Sequence, residues 1–118
     1  MHDGRFPVEL VSGVPVVGTP EEIDITNAPE LRSALLAAAA DRPGTLVADM
    51  TLTRFCDSCG LHALLAAHKR AQAEGGELLL VIPSATVLRI FAITCVDRMI
   101  RTFASLDEAL AHTPRDLG

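Results

Sequence analysis

Cys56-Asp57-Ser58-Cys59 gathers two thiols, a carboxylate and a hydroxyl, followed by Gly60, Leu61 and His62. Four kinds of chemistry use such residues. A C-x-x-C at a strand-to-helix turn holds a thiol near unpaired helix N–H groups, which favours the thiolate and would support disulfide exchange by Cys56 and Cys59. Redox sites of that kind expose the first cysteine at the helix start, however, and here the helix begins nearer the second; small apolar fillers are the simpler assignment for both. A structural zinc site needs four ligands, and of Cys56, Cys59, Cys95, His62 and His68 only the first two have ligand spacing, so no metal is expected. Nucleophilic catalysis needs a base beside Ser58 or a cysteine. His62 is the candidate, but neither a G-x-S-x-G elbow nor a glycine-rich phosphate loop is present, and the chain is not expected to be an enzyme. Lastly, Ser58 can itself be modified. A phosphate would add about −1.5 to −2 charge beside Asp57. A helix N-terminus tolerates that charge, whereas a partner packed on the same turn meets repulsion and a desolvation cost.

Such a cluster needs a strand, a sharp turn and a helix to hold it. Thr45–Met50 is apolar and β-rich, and Leu61, Leu64, Leu65 and His68 recur at helical spacing after the turn. Asp57 and Ser58 both suit a helix cap, Gly60 permits close backbone approach, and Gly75-Gly76 ends a helix running from about Ser58 to Glu74. Upstream, residues 1–7 show no periodicity and read as a loose terminus. Val8–Val11 and Val14–Val17 flank Ser12-Gly13 as a hairpin, with Pro15 unable to donate to a ladder. Thr19–Asn27 reads as a polar, acidic loop. Asn27 is expected to cap a helix with Pro29 and Glu30 in its first turn, an apolar stripe of Leu31, Ala34, Leu35 and Ala38, and a stop at Arg42-Pro43-Gly44.

Downstream, Glu77–Ile82 is a nearly continuous apolar run, as in a strand covered on both faces. Pro83-Ser84 opens a helix reaching about Thr94, a short strand spans Met99–Phe103, Ser105 caps a last helix over Leu106–His112, and residues 114–118 read as a loose end. The order ββαβαβαβα predicts one α/β domain with a mainly parallel sheet opened by a hairpin, and places the central turn at the carboxyl end of a parallel strand.

Composition narrows the partners. The 118 residues include no Trp or Tyr and only four Phe, so Leu, Val, Ile and Ala must build the core. A net charge of −5 disfavours nucleic acid and anionic membrane surfaces. The longest apolar run, Ala34–Ala40, is too short to span a bilayer, and the start does not read as a signal peptide. An odd number of cysteines, three, fits a reducing compartment, and a cytoplasmic location is expected.

Asp57-Ser58-Cys59-Gly60-Leu61, between a strand and a long helix, resembles the D-S-S/T-G-L signature of STAS domains of the anti-sigma factor antagonist group. The likeness spans nearly the whole chain: Glu22-Ile23-Asp24 with Asn27-Ala28 and Leu31 resembles the family's G-E-I/L-D segment, Gly75-Gly76-Glu77-Leu78 its G-G-x-L/M strand entry, and Val87-Leu88-Arg89-Ile90-Phe91 its V-x-R-I/L-F/L helix. The resemblance implies a STAS domain over residues 8–113, with helices largely on one side of a mixed sheet and no cofactor. It further implies that an anti-sigma factor, itself a serine kinase, binds the unmodified chain and is released when Ser58 is phosphorylated, and that a PP2C-type phosphatase restores binding. Asp24, Asp57, Ser58, Cys59, Gly60 and Leu61 would form the partner surface, with Asp24 and Asp57 shaping the surroundings of Ser58 and Gly60 permitting close docking. Two positions depart from the pattern: Glu21 stands where the family has Gly, and Cys59 where it has Ser or Thr. With Cys56 and Cys95 near it in that fold, Cys59 suggests a thiol-sensitive version of the switch. Two further functions fit the same residues, a thiol-disulfide protein using Cys56 and Cys59, and a STAS subunit that docks in a transporter or sensory complex.

Overall fold

Ser12 and Gly13 both adopt positive φ, 54° and 81°, as a two-residue type I′ hairpin turn demands. The hairpin they close opens the fold. The computed structural model describes residues 6–41 and 44–113. In chain order these form β1 (Val8–Val11), β2 (Val14–Gly18), β3 (Glu22–Ile23), α1 (Ala28–Asp41), β4 (Leu46–Asp49), β5 (Phe55–Cys56), α2 (Ser58–Ala73), β6 (Leu78–Val81), α3 (Ala85–Ile93), a 3-10 turn (Val96–Arg98), β7 (Arg101–Phe103) and α4 (Leu106–Ala111).

The main sheet has the order β1-β2-β4-β6-β7, antiparallel only between β1 and β2. Pairing of β2 with β4 begins at Val16, so the missing N–H of Pro15 interrupts no bond to β4. The strand order never reverses. Right-handed crossovers therefore carry α1, α2 and α3 to one face. Leu46, Ala48, Leu78 and Leu80 point to that face, against Leu31 and Leu35 of α1, Leu64 and Ala67 of α2, and Phe91 of α3. Val47, Leu79 and Val81 point the other way, with Val16, to meet Ala109, Leu106 and Leu110 of α4. The unbroken apolar run of β6 is thus covered on both sides, and the mixed, mainly parallel α/β architecture is the one the sequence implies. Among the described residues no helix is long and apolar enough to cross a membrane.

Four features differ from the sequence reading. Phe6 is 1% exposed and belongs to the helix-side core, while the Pro7 carbonyl accepts the Gly18 N–H at 2.9 Å, so ordered structure starts before Val8. The expected loop at residues 19–27 contains β3 and the expected central turn contains β5, both too short to show periodicity, so the order gains two strands over ββαβαβαβα. Asn27 does not cap α1 with its side chain; its Oδ1 accepts the Asp24 N–H and its Nδ2 donates to the Glu22 carbonyl, both at 2.9 Å, which folds the loop back on itself. The start of the strand expected from Met99 is taken by the end of the 3-10 turn and the link after it, so β7 begins at Arg101. The expected helix stop at Arg42-Pro43 and the loose ends at residues 1–5 and 114–118 lie outside the described residues.

Helix α2 is fixed at both ends. At its carboxyl end the Gly76 N–H donates to Ala71 O (2.8 Å) and the Gly75 N–H to Gln72 O (3.1 Å), the paired closure of a Schellman motif. Nearby, buried His68 accepts the Leu78 N–H on Nδ1 at 3.2 Å, and its ring also bonds the Met99 backbone. At the amino end Gly60 lies against the β3–β5 pair, where an added Cβ would stand 2.6 Å from Cys56 Sγ and 2.7 Å from Ile23 Cγ2.

Both ends generate predictions. Gly60→Ala gains about 1 kcal/mol of helix propensity but overpacks a closed contact at a cost of about 1–3 kcal/mol. A net loss of about 1 kcal/mol in urea unfolding is expected, and a variant as stable as the parent would refute the close fit. Burial holds the His68 pKa below its ordinary value, outweighing the opposing effects of Glu77 and the Met99 contact. The neutral ring is the folded form, so its stabilisation is complete above the unfolded pKa of about 6.5 and is lost as pH falls below it. The melting temperature should therefore drop as pH falls below about 6.5 and drop less in His68→Gln; equal slopes would rule the histidine out as the cause.

Candidate functional site

Strands β3 and β5 form a separate two-stranded parallel ribbon, with Glu22 opposite Phe55 and Ile23 opposite Cys56. The Glu21 carbonyl accepts the N–H groups of Arg54 (2.7 Å) and Phe55 (3.2 Å), and the Ile23 carbonyl accepts that of Asp57 (3.0 Å). Buried Thr19 and Thr53 join hydroxyls at 2.5 Å, and Thr53 Oγ donates to Pro20 O at 2.6 Å, tying the loops that enter the ribbon. The residue following each strand is an aspartate. The ribbon thus delivers Asp24 and Asp57 to one edge, although they lie in separate segments of the sequence.

The two carboxylates do different work. Asp57 has extended backbone and caps α2: Oδ1 accepts the N–H of Cys59 at 2.9 Å and of Gly60 at 3.1 Å. Asp24 closes a turn, its Oδ1 accepting the Thr26 N–H at 2.9 Å, and this turn carries Ile25 outward, 70% exposed. Because Asp57 supplies the cap, Ser58 is left as the exposed first residue of α2, its side chain without a hydrogen bond to any described residue. An unengaged hydroxyl thus stands at a helix start beside the capping carboxylate of Asp57.

Other expected site residues fall differently. Cys56 is 1% exposed, and burial, reinforced by the charge of Asp57, pushes its thiol up to about 12. It is an inert core group at neutral pH, which removes the thiolate that disulfide exchange with Cys59 requires. Cys59 is half-buried, and Cys95 is exposed at the residue that follows α3 and Thr94. Leu61 points into the helix-side core and offers no side chain to a partner. Gly60 is buried as well; the close approach it permits is to Ile23 and Cys56, not to a docking protein. His68 spends Nδ1 on the Leu78 N–H, and among the described residues no cluster of His, Cys, Asp or Glu could hold a metal ion.

The sequence reading did not mark the apolar residues near the turn. Ile25, Leu52 and Phe55 (48%) are all strongly exposed, each in a loop or at the ribbon edge. The available signal was an isolated large apolar residue in a polar segment, which carries no period. Between α1 and α2 runs an open groove of about 530 Å³, with Ile25, Leu36 and Ala63 as apolar lining and Arg32, Cys59 and His62 as polar lining.

Comparison with known proteins agrees with this geometry. The STAS domain model matches residues 5–109. The anti-sigma-F factor antagonist RsfB of Mycobacterium tuberculosis is 30% identical over 99 residues, covering 84% of this chain and 80% of that one. The crystal structure of an anti-sigma factor antagonist from Mycobacterium paratuberculosis superposes with a TM-score of 0.84 at 34% identity, covering 94% of this chain and 93% of that one. Bacillus SpoIIAA in its phosphorylated form shares the fold at a TM-score of 0.67 and 21% identity, covering 90% and 96% of the two chains. With the signature at residues 57–61 on the ribbon-to-helix turn and the match extending through the sheet, the chain belongs to the STAS domain family, among the anti-sigma factor antagonists.

Proposed function

We propose that this protein is a phosphorylation-gated antagonist that binds an anti-sigma factor with serine kinase activity, frees a sigma factor in doing so, and releases its partner when Ser58 is phosphorylated. The observation that carries this reading is the division of labour at the turn: Asp57 caps α2 while the adjacent Ser58 hydroxyl stays exposed, with no bond to any described residue. The chain is a substrate and switch in the cytoplasm, not an enzyme. Its mycobacterial relatives bear the name antagonist, and a Bacillus protein of the same fold exists in a phosphorylated form.

In the transfer step Ser58 Oγ attacks the γ-phosphorus of ATP held by the kinase. The bond from that phosphorus to the ADP oxygen breaks, and the hydroxyl proton passes to a base of the kinase. The added charge of about −1.5 to −2 falls on a helix N-terminus, so the domain stays folded. The effect is felt outside. Docking brings a partner against Ile25 and Phe55, which bury apolar surface well, and the same docking then forces the phosphate out of water beside Asp57. Hydrolysis by a PP2C-type phosphatase returns the hydroxyl and the binding surface.

Intact mass spectrometry after incubation with ATP and the candidate anti-sigma kinases of the same genome tests the reading. Wild type is expected to gain one phosphate and Ser58→Ala none, and calorimetry should then show binding by the unmodified form alone. The proposal fails if no kinase modifies the chain, or if Ser58→Ala is modified equally.

A further inference from the structure

The groove between α1 and α2 differs electrostatically from the molecule around it. The chain carries a net charge of −5, yet Arg32 and His62 line this groove and no carboxylate does. The second groove on α1 has the opposite character, with Glu30 and Asp41 on its rim. Arg32 is exposed and, like Arg54, Arg89 and Arg98, forms no ion pair with any described residue, but of these four it is the one that lines the groove. An unpaired guanidinium beside Ile25 and Leu36 offers a partner one charge-assisted fork and an apolar seat in the same place.

The groove is also joined to the turn. His62 follows Ser58 by one helical turn on α2, so the two share a face, and Cys59 lines the groove between them. A phosphate on Ser58 would stand at the groove's mouth, within the field of the groups that line it.

We propose that this groove receives an amphipathic segment of the anti-sigma partner that carries at least one carboxylate, and that phosphorylated Ser58 expels the segment by competing for Arg32 and His62. The inference rests on the proposed function and adds to it the chemistry of the contact and the means of release. The volume suits one or two anchoring side chains rather than a whole helix, so the carboxylate engages Arg32 while an apolar neighbour lies on Ile25, Leu36 and Ala63. Nucleic acid is the wrong occupant, because it demands clustered Lys and Arg, whereas this groove offers one arginine on a chain of net charge −5. Competition explains why a modification that leaves the fold intact abolishes docking: the phosphate repels the partner's carboxylate and occupies its counter-charge.

The test uses the full chain and the kinase that modifies it, with affinity measured for wild type, Arg32→Glu, Arg32→Lys and a control, Lys69→Glu, at an exposed position on α2 outside the groove. Thermal melts matching the wild type certify each variant's fold. Arg32→Glu is expected to weaken binding about tenfold and to flatten its salt dependence, with Arg32→Lys, which keeps the charge but loses the fork, intermediate and Lys69→Glu within about twofold. Phosphorylation should reduce the affinity of Arg32→Glu by a smaller factor than that of wild type, since the two perturbations act on one contact. Equal weakening by Arg32→Glu and Lys69→Glu overturns the groove as the site. Unchanged binding by Arg32→Glu does so too, while leaving the antagonist reading in place. An identical phosphorylation factor in both backgrounds overturns the competition. Failure of unmodified wild type to bind at all defeats the antagonist reading itself, and the groove proposal with it.

Discussion

The bond from the Asp57 N–H to the Ile23 carbonyl, 3.0 Å long, is the contact on which the working end of the molecule depends. It closes the two-residue pairing of β3 with β5 and sets where α2 begins. Two residues per strand are too few to be stable alone. The ribbon survives because it is braced by the Thr19–Thr53–Pro20 hydrogen bonds, by the Asn27 side chain that folds the following loop, and by Gly60, whose missing Cβ lets α2 press on Ile23 and Cys56. Without that packing the two aspartates would have no fixed relation to each other. With it, one carboxylate becomes a helix cap and the other a turn, and the serine next to the cap has neither duty.

The main sheet supplies the opposite quality, a closed and uneventful support. Its strand order runs in one direction, so it lacks the crevice that a reversal of order creates in doubly wound sheets. The chemistry is displaced onto the ribbon and the helix pair at one end. That placement suits a protein whose partner is another protein, because exposed Ile25 and Phe55 and an open helix groove lie at the surface near the turn.

Most of the architecture was legible in the sequence. The hairpin announced itself through Ser12-Gly13 between valine-rich segments, and the α2 start through Asp57 and the leucine spacing that follows. The apolar run at residues 78–81 told that the strand is covered on both faces. What escaped was structure whose causes lie far apart along the chain. Strands β3 and β5 have no period, since each is held by partners more than thirty residues away. The Asn27 side chain faced two uses of the same chemistry, capping a helix or closing a loop, and only the position of Glu22 decides between them. Cys56 and Cys59 look equivalent in the sequence, yet the ribbon buries one and leaves the other half open, so the C-x-x-C spacing carries none of the meaning it has where both thiols are accessible. The helix start and the family resemblance both pointed to Ser58, but that Asp57 takes the cap and leaves the serine side chain without a bond to any described residue was not legible.

The two-ended anchoring of α2 has a further consequence. Gripped by the ribbon at its first residues and by the His68–Leu78 bond and the Schellman closure near its last, the helix has no free play along its axis. A signal written on its first turn cannot be relayed by a shift of the helix, so it must be legible from outside as a local change of charge. Such a device has no moving part. Under the proposed function, little reorganisation would accompany each cycle, recognition would begin from a preformed face, and the message could be rewritten as fast as a phosphate is added or removed.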